Sequence, residues 1–598
     1  MRNPQIILDT LYSHSKDSSY TFERLYRILF NEDIYHYAYQ RLGNKAGNLT
    51  PGTDGDTING MNIQKIRYVI ECLKNETYQP YPARRTYIPK KNGKLRPLGI
   101  PAWIDKLVQE VIRMILQAIY EGTFSDRSHG FRPYKSCHTA LTQIQKTFTG
   151  AKWFIEGDIK GFFDNIDHDV LIGTLRKRIS DERFLRLIRK FLNAGYIEDW
   201  TFHESVTGTP QGGIISPILA NIYLDNLDRY MVDYATKFDK GNCRRINPAY
   251  YKLNNKLSWA KGRLLKETDE CKRTALQEKI TSLQAEMRRT EHGLPTDENY
   301  RRIVYTRYAD DFLIGVIGTK IECEIIKADI TNFMRDTLHL ELSPEKTLIT
   351  HGKDIAKFLG FDITVRSSEV MQRNARGILQ RNHKGKVQLL VSADHVKKAL
   401  EKHDAVKYKI ENGKTVWKSK ARGKLFSKKP HEILMQVNSE IRGFYNYYCI
   451  ANNSSWWCAK YAYIMEYSLC HTLAQKLNLS VSKVKGKYQH NGVFTIHYNG
   501  KDGKHHSVTL YHDGFARITK KRYESDTIGE VLPHPTLTER LRKGNCELCG
   551  KEGALLMYHA RAMKNLSERT LWGKKMLEIN RKSLAVCSDC FTKIIKAK

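Results

Sequence analysis

Residues 303–309 (IVYTRYA) and 312–317 (FLIGVI) are short runs of β-branched and aromatic residues. They predict two strands of one hairpin, with the adjacent carboxylates Asp310 and Asp311 at its tip. Arg84–Pro101 (RRTYIPKKNGKLRPLGIP) reads as a strand, a glycine turn and a second strand, and FLGFDI at 358–363 as a further hairpin. Around Asp158 the pattern is again β (AKWFIEGD), followed by helical periodicity over 170–195. Residues 20–46 and 103–121 also carry a helical pattern. Residues 251–292, rich in Lys, Glu, Leu and Gln, predict a solvated helical hairpin inserted between other elements. No fixed-period repeat occurs.

Composition narrows the class. The chain has 598 residues, 41% of them hydrophobic, enough for several domains and a large core. No run of eighteen apolar residues occurs, and the start, MRNPQIILDT, lacks a signal-peptide apolar stretch, so a soluble intracellular protein with no membrane partner is expected. Twelve cysteines are too thinly spread for a disulfide framework. A formal net charge of +34 lies far outside the range of ordinary globular enzymes and points to nucleic acid as the partner.

Two adjacent carboxylates repel unless something positive lies beside them. Asp310 and Asp311 form either a solvated turn or, with a third carboxylate, a site for a divalent cation, which prefers oxygen ligands. Asp158 ends an apolar strand, a costly position for a lone charge unless it is paired or metal-bound. Next comes TGTPQGGIISPILANIYLDNLD, Thr207–Asp228, where Pro210-Gln211-Gly212-Gly213 turns into a helix and the glycines let backbone approach a flat ligand. LELSPEKTLI then supplies Lys346 beside a strand.

In this order and spacing the chain resembles reverse transcriptases, with Asp158, TPQGG, YADD, Lys346 and FLGFDI standing as motifs A to E. The YADD form, SHGFRPYKSCHTAL at 128–141, the long N-terminal extension and IRGFYNYYCIANN at 441–453 resemble more narrowly the reverse transcriptase/maturases encoded by group II introns. The resemblance implies an α+β, right-hand polymerase fold: fingers and an antiparallel palm sheet with the N-terminal extension over 1–375, and a helical thumb/maturase domain X over 376–480. A DNA-binding region over 481–540 and an HNH-like zinc module over 541–598 would follow. It implies an RNA-directed DNA polymerase that binds group II intron RNA, assists its splicing and copies it into DNA at a target site during retrohoming. A splicing factor without polymerase activity is the rival, and the intact set Asp158, Asp310 and Asp311 argues against it. Implied partners are intron RNA, target DNA and dNTPs, with a homodimer left open; the implied location is a bacterial cytoplasm or an organelle matrix.

The resemblance also assigns roles. Asp158 and Asp310, with the carbonyl of Ile159, would bridge two Mg²⁺ ions, and Asp311 completes the triad. Lys90 and Arg96 would neutralise the incoming triphosphate. Phe163 stands at the steric-gate position that excludes a ribose 2′-hydroxyl. Gln211 would line the templating pair, and Lys346 would donate a proton to pyrophosphate.

Beyond 376 the chain turns basic and aromatic: Lys397–Lys429 holds twelve Lys or Arg against three acids, a composition suited to phosphates and unstacked bases. In the tail, the pairs Cys546/Cys549 and Cys587/Cys590, with thirty-seven residues between them, carry the spacing of a tetrahedral Zn²⁺ site, with two disulfides as the alternative. In related intron proteins such cysteines brace an HNH endonuclease. His559, the expected base, and Asn565 survive here, but Tyr558 replaces a metal-binding histidine and no histidine follows His559. The expectation is a DNA-contacting module with a vestigial nuclease.

Overall fold

The computed structural model describes residues 3–597 except 44, 90–92, 94, 210–211, 291, 295–296, 367–370, 374–376, 378, 382–384, 501–502 and 519–533. It is a mixed α+β molecule whose central sheet has four antiparallel strands in the order Arg302–Tyr308, Asp311–Ile317, Trp153–Asp158, Ile349–His351. Three of these were expected at these places from their apolar, β-branched content; Ile349–His351 closes the edge. Phe154, Ile155, Phe312, Ile314 and Val316 are buried, so the sheet is covered on both faces. One cover is the helix Ser216–Phe238, started by Pro217 at its first turn, where a missing N–H costs nothing.

A second sheet holds Ala83–Pro89 between Leu95–Ile100, its antiparallel hairpin partner, and Tyr196–Glu198, with Thr201–His203 outermost. The helix Trp103–Tyr120 is buried along nearly its whole length. The 170–195 stretch forms two helices, His168–Arg176 and Glu182–Leu192, each N-capped by an aspartate, which is why one continuous pattern breaks in the middle. The expected insertion is a pair of helices, Pro248–Leu264 and Glu270–Arg289, with a small core of its own from Leu253, Leu257, Ala260, Ile280 and Leu283.

Past the hairpin Ala356–Phe358/Phe361–Val365, the helices Pro430–Tyr448 and Ser454–Leu477 pack as a pair. Arg422 clamps Glu440 there through two bonds of 2.6 and 2.9 Å. Val484, Phe494, Ile496 and Phe515 continue the same core, so packing runs on past residue 480. The C-terminal segment does not stand apart either. Its strands Leu556–His559 and Ser583–Val586 contribute Met557, Tyr558, Leu584 and Val586 to a core shared with Tyr39, Leu42 and Trp103 of the N-terminal region. Among the described residues no helix is long and apolar enough to cross a membrane.

Candidate active site

Strand pairing brings the three acids together. Asp158, last residue of its strand, lies directly opposite Asp311, first residue of its own. Tyr308 pairs with Asp311, so Ala309 and Asp310 form a two-residue turn, and Ala309 takes the positive φ of 57° that such a tight turn requires. All three carboxylates therefore share one end of the sheet, half-buried.

Burial, then the charges of Asp310 and Asp158, pushes Asp311 up to about 7. Burial likewise raises Asp310, with Asp158 adding to it, while the positive charges of Arg96 and Lys346 pull it back. Three acids this close want a cation. Lys346 supplies one: its ammonium lies 2.8 Å from Asp158 Oδ2. The loop carrying it is tied to the strand end by the Ser343 N–H, which donates to the Asp158 carbonyl at 2.8 Å, and by the bridge between Ile159 and Leu342. Hard oxygen donors only, clustered around a net negative charge, form a set suited to Mg²⁺ rather than to a softer metal.

Phe163 sits on the 3₁₀ turn Phe162–Asp164, half-buried, its ring edge-on to Phe162 and Phe131. The loop Thr207–Thr209 lies on that turn: Thr209 N–H donates to the Phe163 carbonyl at 2.7 Å, and a Cβ on Gly208 would stand 2.8 Å from the same oxygen. Phe163 thereby borders a cavity of about 370 Å³ that also touches Arg85, Gly99, Gly208 and Thr209. Gly212, at φ +118°, lets the loop press against the Gly99 carbonyl of the Ala83–Pro89/Leu95–Ile100 hairpin, where a Cβ would clash. Arg96 is on that hairpin, exposed. Lys90 and Gln211 lie outside the described residues.

Sequence reading missed what holds the turn. Arg307 and Asp228 are completely buried and paired, with Arg307 Nε 2.8 Å from Asp228 Oδ1. Arg307 also donates to the Ala309 carbonyl at 3.0 Å and to Ser128 Oγ at 2.8 Å, and Tyr305 hydroxyl donates to Asp228 at 3.0 Å. Gly130 lies against the turn so closely that any Cβ would strike the Ala309 nitrogen, and Asn221 fixes the Gly130 carbonyl at 2.8 Å. The available signal was Arg307, a charge within a strand of β-branched and aromatic residues.

In the tail the Sγ atoms of Cys546, Cys549, Cys587 and Cys590 lie within 4.8 Å of one another, and none is in a disulfide. The Cys549–Cys587 separation of 3.7 Å matches the edge of a tetrahedron with ~2.3 Å metal–sulfur bonds, about 3.8 Å. The group could hold a metal ion. His559 is buried; its Nε2 is hydrogen-bonded to Tyr39 hydroxyl at 2.9 Å and its backbone N–H donates to Asn59 Oδ1 at 2.7 Å. Burial, with Arg540 nearby, holds it down at about 3. Tyr558 is buried as well, whereas Asn565 is exposed.

Strand-end aspartates, a glycine-rich loop on the first strand's turn and a lysine beside the acids define the class, a reverse transcriptase. Residues 88–243 match the family described as reverse transcriptase (RNA-dependent DNA polymerase), 384–523 the type II intron maturases, and 546–591 the AI2M/AI1M-like HNH endonucleases. The chain is 41% identical to the group II intron-encoded protein LtrA of Lactococcus lactis subsp. cremoris, over 100% of this chain and 99% of that protein. It is 34% identical to a 91 kDa protein in a cob intron of Schizosaccharomyces pombe, over 98% of this chain and 72% of that one. It is also 34% identical to protein YkfC of Escherichia coli, over 58% of this chain and 84% of that one. The chain belongs to the group II intron-encoded proteins: it is an RNA-directed DNA polymerase and intron maturase.

Proposed function

We propose that the protein binds the RNA of its own group II intron, assists its splicing by stabilising the folded intron and copies that RNA into DNA from a primer in a target DNA. The carrying observation is the register of Asp158 against Asp311 with Asp310 in the adjoining turn, in a chain alignable end to end with an intron-encoded protein. Residues 1–375 act as fingers and palm of a right-hand polymerase, and 376–480 as thumb and domain X. Residues 481–540 contact DNA, and 541–598 form the zinc module.

Asp158, Asp310, Asp311 and the Ile159 carbonyl would hold Mg²⁺, which when bound stabilises charge on the attacking 3′-oxygen and the leaving pyrophosphate. Arg96 binds the triphosphate, as its influence on Asp310 supports; Lys90 and Gln211 keep the roles the resemblance implies. Phe163 bars a 2′-hydroxyl from the adjoining cavity. Lys346, held on Asp158 by a single long stem, protonates the pyrophosphate. Cys546, Cys549, Cys587 and Cys590 hold structural Zn²⁺. His559, neutral and committed to Tyr39, does not serve as a nuclease base, which supports an HNH module without cleavage activity.

The test is to supply intron RNA, a primer annealed to it, dNTPs and Mg²⁺. Asp310→Asn should cut cDNA synthesis by at least about a thousandfold while splicing assistance persists. Normal synthesis by the variant would remove the metal assignment; loss of splicing at unchanged folding would remove the separation of the two functions.

A further inference from the structure

The far end of the central sheet carries a basic groove that none of the polymerase chemistry uses. Two adjoining cavities, about 1250 and 490 Å³, share Thr149, Arg366 and Lys386 and so form one continuous depression. The larger lies between the end of the sheet and the base of the inserted helical pair, with Lys152, Arg244 and Lys353 on its walls. The smaller leads on to Lys146 and Arg517. Among the described residues the two are lined by seven Lys or Arg and by no Asp or Glu, in a chain with 64 acids against 98 Lys and Arg. Among the described residues Lys146, Lys353, Arg366 and Lys386 make no ion pair with an acid.

Position separates this groove from the polymerase site. Trp153 pairs with Val316 at the end of the sheet opposite Asp158 and Asp311. At ~3.3 Å per residue the six-residue strand sets the two sites about 17 Å apart along the sheet alone. Lys386, Gln388, Asn452 and Arg517 all belong to the stretch that matches the intron maturases, 384–523. The groove thus joins the inserted pair, the back of the sheet and the maturase region.

We infer that this groove is a second RNA-binding surface, which grips backbone phosphates of the folded intron while the aspartate end of the sheet holds primer and template. The inference rests on the maturase reading for its choice of RNA. Cations crowded on a concave wall with no acid among its described residues concentrate field and favour a polyanion. Exposed Lys353 and Lys386 reach phosphates as point charges, and Arg366 between them offers a planar fork. Two phosphate-binding surfaces at opposite ends of one rigid sheet would let the protein stay on its intron while copying proceeds.

The experiment uses full-length protein with Lys353→Gln, Arg366→Gln and Lys386→Gln combined. Affinity for the intron RNA should fall about tenfold or more at physiological salt. The slope of log affinity against log salt should flatten by about two, since each phosphate contact accounts for ~0.7–0.9. Primer extension on a short unrelated RNA template should keep its wild-type rate, and affinity for a duplex DNA of target length should be unchanged. Unaltered intron affinity and slope would overturn the inference. So would equal loss of extension, which would put the groove in the primer–template path, or a loss confined to duplex DNA. Failure of the maturase reading has its own signature: wild-type protein would bind the intron no more tightly than an unrelated RNA of equal length.

Discussion

At the scale of single residues, the carboxylates proposed to carry the chemistry sit where burial and mutual repulsion disfavour their charge. Asp311 is the clearest. A carboxyl whose folded value is near 7, against 3.8 unfolded, holds its proton more tightly in the native state. The native state is therefore favoured at low pH, loses that advantage as pH rises from about 4 to about 7, and stays constant above. In magnesium-free buffer, Asp311→Asn should stabilise the protein at pH 8 by on the order of 2 kcal/mol, discounted for its coupling to Asp310, and much less at pH 4.5. Urea unfolding at the two pH values checks this, and equal stabilisation at both would contradict it. Phe163 makes a different prediction, because the role proposed for it is steric. Phe163→Ala should raise ribonucleotide incorporation relative to deoxyribonucleotide by about tenfold or more in primer extension with mixed pools. An unchanged ratio would return the ring to a packing role beside Phe131 and Phe162.

At the scale of elements, the turn that carries Asp310 is held from behind. Arg307 reaches Asp228, Ser128 and the Ala309 carbonyl from a fully buried position, so removing its charge strands a buried aspartate. Arg307→Met should cost about 3–5 kcal/mol, and should depress polymerase rate before it affects RNA binding. Thermal melts and filter-binding at a temperature where the variant stays folded separate the two effects; a melt like the wild type's would show that the pair adds no stability. This brace also marks what could be read beforehand. The strands around Asp158 and Asp311 were legible because β-branched and aromatic residues run through them with polar residues at their ends. The helical insertion was legible from its Lys, Glu and Leu spacing. The partner of Arg307 was not, since Asp228 lies seventy-nine residues away on a helix and nothing local in LDNLDRY says which strand it faces. The bounds of the 170–195 helices failed for a simpler reason: Asp181 caps a second helix that periodicity alone merges with the first. Burial of His559 is likewise a tertiary fact, invisible in MYHARAMKNL.

At the scale of the whole molecule, the zinc-type module is built into the polymerase half. Met557 exchanges backbone bonds with the Gly60–Met61 stretch, its N–H donating to the Met61 carbonyl at 3.0 Å and its carbonyl accepting from Gly60 N–H at 3.0 Å. Leu537 N–H donates to Gln40 at 3.0 Å, and Arg542 stands 3.5 Å from Asp33. His559 lies inside this contact, where a catalytic base would have to face DNA and water. Cys546, Cys587 and Cys590 belong to the same buried core as Tyr39 and Trp103, so whatever holds the four cysteines together also supports those helices. Purified protein should contain about one zinc per chain, since four thiolates suit that ion. Cys587→Ser should lose the zinc and lower the melting midpoint of polymerase activity by about 5 °C or more, as loss of metal ligation is loss of folding energy. His559→Ala should leave DNA cleavage at its wild-type level of essentially none, while itself lowering the melt by removing the Tyr39 contact. Activity that melts at the same temperature with and without zinc would show the module to be an independent appendage. Second-strand cleavage of an intact duplex by the wild type, lost in His559→Ala, would show that the histidine leaves Tyr39 to act as a base.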